Sequence, residues 1–314
     1  MAAANSTVMA EIPLRFSDDL QSAYSAVISW LREEAPGFET VSANPEHLQD
    51  IPSIGAYLHK YFPTHFFKAY SVFGDMISAG ADLVKWPRII IVDVGAGIGT
   101  ASIALAECLA NINRDRIRQS ISPYQTEVLV IALDPKDIQK QIATRLLDEL
   151  SSRLLKDSIK LTLVDYIANT LAPGTPVHNI VTSLQLRPDV TPAPVIIVGS
   201  NLLNWLVPQS TRWDSLIRIP LKKLIQRLFG ETGAPPEYRH YIDGCEQLIG
   251  RLDPPVSWII GVETDRQYLA VFQRWVGAEL SRRFPGVLRL SQNSKVLFEN
   301  PAASYYAEKN MSRP

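Results

Sequence analysis

Residues 88–107, RIIIVDVGAGIGTASIALAE, constrain this chain more than any other stretch. Five of the six residues from Ile89 to Val94 are apolar and β-branched, and Asp93 is the exception. Such a run is too short for a helix and predicts a buried strand of a parallel sheet. Gly95, Gly97 and Gly99 follow at alternate positions. A helical pattern begins behind them, with Ile103, Leu105, Ala106 and Leu109 on its inner side. Strand, glycine turn and helix let the backbone pass close to a bound ligand. Glycine has no Cβ, so it accepts unusual φ/ψ and leaves room. The first-turn N–H groups of the helix then face a carboxylate or phosphate. The plainer alternative is a turn that only packs helix on strand.

Further strands alternate with helical patterns along the chain, which predicts an α/β fold with a parallel sheet. Ser17-Asp18-Asp19 reads as a helix start, with acids where the dipole favours them. That helix runs to about Glu34 and buries Leu20, Tyr24, Val27, Ile28 and Leu31. Residues 53–80 hold Tyr57, Tyr61, Phe62, Phe66, Phe67, Tyr70 and Phe73, seven of the chain's 11 tyrosines and 10 phenylalanines. This density predicts a helix pair, either packed on the main body or forming a lid and pocket wall with His59 and His65 among the aromatics. Residues 111–126 are polar and predict a loop.

Glu127 to Leu133 is a second strand, ending in Asp134-Pro135. A carboxylate at such a tip accepts both hydroxyls of a ribose. Asp134 lies 41 positions beyond Asp93, more than the ~20 of a compact dinucleotide unit. The polar insertion accounts for the excess. A helix from Asp137 to about Leu155, with Ile138 inward, leads to a third strand over 159–164 and to Asp165-Tyr166. A fourth strand, 195–198, precedes Gly199-Ser200-Asn201 and Asn204-Trp205. Residues 206–255 form a helical insertion with a basic amphipathic stretch over 212–227. A fifth strand covers 256–262, and 287–290 with 295–299 read as a terminal antiparallel hairpin.

Composition bounds the function classes. Formal net charge is −1 over 314 residues, so no global basic footprint marks a nucleic-acid binder. Two cysteines, Cys108 and Cys245, make neither a disulfide framework nor a metal cluster. No apolar run approaches the ~20 residues that span a bilayer. The opening residues lack the basic start and apolar core of a signal peptide. The expectation is a cytoplasmic protein with no membrane and no metal; a homo-oligomer stays open.

The dinucleotide fingerprint G-x-G-x-x-G fails here, because its last position counted from Gly95 is Thr100. VDVGAGIGT instead resembles motif I of the class I S-adenosylmethionine (SAM) methyltransferases. That resemblance implies a Rossmann-like, mostly parallel seven-stranded sheet ending in an antiparallel hairpin. It implies an N-terminal helical lid over 1–85 and a SAM-binding domain over 86–314. It implies SAM as cofactor, held by Asp93, Gly95, Ala96, Gly97, Gly99, Thr100, Asp134, Pro135, Asp165, Tyr166, Ser200 and Asn201. Asp93 would hold the ligand's amino group, Asp165 the adenine amino group, and Tyr166 would cover the ring. Pocket candidates on the acceptor side are Tyr61, His65, Asn201, Asn204 and Trp205. Asn201 or Ser200 as a helix cap and Trp205 as core are the plainer readings there.

The activity implied is methyl transfer to an O, N or C nucleophile of a small-molecule acceptor. A NAD-dependent oxidoreductase is the rival for the glycine turn. Ala56-Tyr57-Leu58, Phe62-Pro63 and Ala69-Tyr70 are also similar to the Rsm22-like ribosomal methyltransferase family. That likeness implies an RNA- or ribosome-associated methyltransferase or a non-catalytic assembly factor. Its members carry cysteine ligands for an iron–sulfur cluster, which two cysteines do not supply.

Overall fold

A computed structural model describes residues 15–43, 48–78, 83–169, 171, 176–185, 193–200, 236–251, 258–262, 278–283 and 289–290. At its centre lies β1 (Arg88–Val94), flanked by β2 (Thr126–Leu133) and β4 (Val195–Ser200). Outside these lie β3 (Ile159–Ile167) on one side, and β5 (Trp258–Val262) and β6 (Arg289–Leu290) on the other. The order is β3-β2-β1-β4-β5-β6, and every described pairing is parallel. This is a Rossmann-like α/β sheet. Strand order reverses between β1 and β4, and such sheets bind ligands at the carboxyl ends beside that point.

The seven strands and terminal antiparallel hairpin expected from the sequence differ from what the described residues form. They form six parallel strands, and residues 289–290 pair parallel with β5. The second half of the expected hairpin, 295–299, lies outside the described residues.

Alternation along β1 divides the core. Ile89 and Ile91 join one hydrophobic cluster, and Ile90, Val92 and Val94 join the other. The first cluster is closed by α1 (Asp18–Glu34), α2 (Ile51–Ser78), α3 (Thr100–Arg118) and α4 (Lys140–Leu154). The second is closed by α5 (Val177–Gln185), α6 (Pro236–Arg251) and α7 (Ala278–Arg283). Strands buried on both faces read as unbroken apolar runs, as β1 does. Among the described residues, no helix is long and apolar enough to cross a membrane.

α1 begins where its sequence signal lies, with Leu20 N donating to Ser17 Oγ at 3.1 Å. The aromatic segment differs from expectation: it is one helix of 28 residues that continues through Pro63. A proline inside a helix deprives the carbonyl four residues earlier of its donor. That carbonyl belongs to His59, and it accepts instead from the Tyr24 hydroxyl of α1, at 3.5 Å. Leu20 and Phe62, on α1 and α2, share a cluster with α3, α4 and the sheet.

Residues 111–118 are helical rather than a loop. Asp115 and Arg118 face solvent, while Asn113 and Arg114 serve a partly buried network. Asn113 Nδ2 donates to the carbonyls of Tyr124 (2.8 Å) and Asp157 (2.7 Å). Arg114 pairs with Asp157 at 2.7 Å, Asp19 at 2.9 Å and Glu107 at 3.2 Å. One guanidinium thus links α1, α3 and the segment before β3. Burial pushes the Glu107 carboxyl up, and the Arg114 charge opposes that shift.

Removing one member of a buried ionic cluster strands the others. Arg114→Ala is expected to cost about 3–5 kcal/mol of stability, because two buried carboxylates lose their counter-charge. Urea denaturation checks this. A loss below about 1 kcal/mol would mean that the cluster behaves as solvent-screened surface pairs.

Candidate functional site

The turn after β1 is built on backbone that side chains resist. Gly95, Gly97 and Gly99 have φ of 71°, 55° and 80°, all in the left-handed region that glycine enters freely. Gly95 N and Ala96 N both donate to Leu133 O, at 2.8 and 3.0 Å, so the turn is tied to the tip of β2. Gly99 caps α3, and Thr100 is the first residue of that helix, partly exposed.

Gly97 is held from several sides. Its N–H donates to Asp134 Oδ2 at 3.0 Å, and its carbonyl accepts from the Tyr166 hydroxyl at 2.8 Å. On the side where a Cβ would sit, Gln139 Oε1 lies 3.1 Å from that position.

Asp93 is fully buried. Its Oδ2 accepts from Ser102 N at 3.2 Å and Ser102 Oγ at 2.8 Å, which fastens β1 to the first turn of α3. Its Oδ1 is buried with no hydrogen-bond partner. Burial pushes the carboxyl from the ordinary 3.8 up to about 6, against the two Ser102 hydrogen bonds, and the Asp134 charge adds to the rise. An unmatched buried carboxylate oxygen is costly.

Asp134 stands at the β2 tip as expected, 5% exposed. Its carboxylate is engaged by the chain itself: Oδ1 accepts from Lys136 N at 2.8 Å and Gln139 Nε2 at 3.4 Å, while Oδ2 takes Gly97 N. Burial raises its pKa, and the two backbone donors oppose the rise. Pro135 is exposed beside it.

Asp165 differs from the role that the resemblance implied. A bulge between Val130 and Ile131 shifts the register, so Asp165 pairs with Ile131, and β3 continues to Ile167. Asp165 lies inside the strand, and its Oδ1 accepts from the N–H of Tyr166 at 2.8 Å. Tyr166 is 4% exposed, and its hydroxyl braces the Gly97 carbonyl. Burial also raises its hydroxyl pKa. The exposed tip of β3 is Ala168-Asn169. This longer strand is not legible in the sequence, because a bulge lengthens a strand without leaving a mark in the alternation.

On α2, Tyr61 and His65 do come together. The Tyr61 ring lies 6.1 Å from that of His65 and 5.2 Å from that of Tyr57. The Tyr57 hydroxyl is 3.3 Å from His65 Nδ1. Burial lowers the His65 pKa to about 3, with Lys68 adding to the effect, so this imidazole is neutral at physiological pH. Burial raises the pKa of Tyr57, and the charge of Asp134 raises it further. α2 also packs on the 3₁₀ segment Asp137–Gln139. This part of α2 therefore faces the β2 tip.

Ser200 ends β4, pairing with Val262. Asn201, Asn204 and Trp205 lie outside the described residues, as does the basic stretch 212–227. Among the described residues, no group of three His, Cys, Asp or Glu side chains is placed to hold a metal. Cys108 and Cys245 are buried free thiols, and burial pushes Cys245 up to about 12.

No protein-family profile matches the chain, and no curated protein matches it. Among solved structures, an uncharacterized ACR protein from Burkholderia thailandensis is similar over 60% of this chain and 42% of its own, with 14% identity and a TM-score of 0.21. The chain thus spans less than half of that protein, and a likeness of this size carries no argument about function.

The buried Asp93 carboxyl fixes a pH dependence. Its folded pKa, about 6, lies above the ordinary 3.8. Folding is therefore favoured most below the lower value, and stability falls as pH rises toward the upper one. In Asp93→Asn that decline is absent. The stability difference between the two proteins should move by about 2–3 kcal/mol between roughly pH 4 and pH 7. Denaturation curves across this range check it; parallel profiles would contradict the assigned burial cost.

Proposed function

We propose that this protein is a SAM-dependent methyltransferase acting on a small-molecule acceptor. The observation that carries the reading is Asp93: a fully buried carboxylate with an unpartnered oxygen, directly before three left-handed glycines. Glu107, inside the Arg114 cluster, also keeps one buried oxygen unpartnered; what sets Asp93 apart is its place as such a carboxylate directly before the glycine turn. One that is half-satisfied beside a close-approach turn suits an ammonium group, such as that of an amino-acid moiety.

In this reading Asp93 takes the ammonium, and Gly95 to Gly99 give the amino-acid tail its close approach. Asp134 accepts the ribose hydroxyls, and Asn169 at the β3 tip serves the base edge in place of Asp165. Tyr61 and His65 form one wall on the acceptor side; Asn201, Asn204 and Trp205 remain acceptor-side candidates by sequence, and Ser200 and Asn201 cofactor-side ones.

When bound, the cofactor supplies a sulfonium methyl group ready for in-line displacement. The protein then has to exclude water and align the acceptor. His65, neutral and in contact with the Tyr57 hydroxyl, serves as a wall rather than as a base, since burial holds its pKa far below the operating pH.

The glycine turn and the parallel order are shared with nicotinamide-cofactor folds, so ligand binding discriminates. Calorimetry with SAM and S-adenosylhomocysteine is expected to show binding of both. Gly97→Ala forces a side chain to φ 55° and toward Gln139 Oε1 at 3.1 Å. It should weaken both ligands at least ~10-fold, with the loss of stability held near ~1–2 kcal/mol. NAD binding without SAM binding would overturn the reading.

A further inference from the structure

The segment after β2 is turned inside out. Ile138 is 39% exposed, whereas its neighbour Gln139 is 3% exposed. An apolar side chain faces solvent while an amide is buried, the reverse of what burial energetics favour. Local preference yields in this way where another role requires it.

The buried amide has a defined place. Gln139 Oε1 lies 3.1 Å from the position of a Gly97 Cβ, and Cδ lies 3.9 Å from it. Among the described residues, nothing else comes within 4 Å of that position. Gln139 Nε2 reaches Asp134 Oδ1 at 3.4 Å, the oxygen that Lys136 N holds at 2.8 Å. The space that glycine opens beside the turn is thus filled by one side chain. That side chain also touches the carboxylate assigned to the ribose. Its contact with Asp134 is long and weak, beyond the usual 2.7–3.2 Å range.

We propose that the Gln139 amide stands in for a nucleoside at Asp134, so that Lys136–Gln139 is a strap which an incoming nucleoside ligand displaces. This rests on the cofactor reading above. In the ligand-free protein, Gln139 gives Asp134 a partial partner and fills the gap beside Gly97. A ribose hydroxyl makes the shorter, better-aligned hydrogen bond and takes its place. Binding then bears the cost of opening the strap, which lowers affinity by the fraction of molecules already open.

The test uses the full chain and S-adenosylhomocysteine as probe. By calorimetry, Gln139→Ala should bind ~3- to 10-fold more tightly than wild type, because no strap has to open. Independently, amide hydrogen exchange over residues 136–140 of the wild-type protein should rise on saturation. Equal or weaker binding by the variant overturns the proposal. A fall in exchange over 136–140 overturns it without any variant. If neither protein binds the probe, the cofactor reading fails and the strap fails with it; if both bind and only the ranking is wrong, the strap alone fails.

Discussion

The peptide at Gly97 is where the structure converges. Its N–H is held by Asp134 at the tip of β2, and its carbonyl by the Tyr166 hydroxyl from β3. The residues on either side belong to the turn that joins β1 to α3. Three neighbouring strands are thus locked in register around one peptide. The lock requires a backbone with φ of 55° and no Cβ, because a side chain there would press on Gln139. The turn is thus held by hydrogen bonds to the tip of β2 and to β3.

Beside that peptide the protein keeps two acids in poor surroundings. Asp93 is fully buried and Asp134 nearly so, and burial raises the pKa of both. Each acid is partly satisfied: Asp93 by Ser102, Asp134 by Gly97 and Lys136 backbone. The Lys136 charge favours the Asp134 carboxylate, while the chain builds its full ion-pair cluster elsewhere, around Arg114. Destabilising acids retained beside a left-handed glycine turn make it a candidate site with a physical rationale.

The sequence makes the core of this arrangement legible where the physics is local. β1 and the three glycines read correctly because burial on both faces and left-handed backbone are stamped on adjacent residues. α1 reads correctly because Ser17, Asp18 and Asp19 cap it. What escapes is long-range. Pro63 lies inside one helix, and the carbonyl it frees meets a donor 35 residues away, the Tyr24 hydroxyl, at a long 3.5 Å. Asn113 and Arg114 look like loop residues because their partners, Tyr124 and Asp157, sit in other segments. Asp165 moves into a strand, and Tyr166 into the core, through a bulge defined by the opposite strand. Gln139 is buried against periodicity because Gly97 leaves a space that no neighbour in sequence reveals.

The central claim is that a nucleoside carrying an ammonium group binds against the turn from Gly95 to Gly99, with Asp93 as its acceptor. The most direct measurement is the amide NMR response of the labelled protein to S-adenosylhomocysteine. The account predicts shifts concentrated at Gly95, Gly97, Gly99 and Ser102, saturating together and lost in Asp93→Asn. Saturable binding that leaves those four amides unmoved would contradict it.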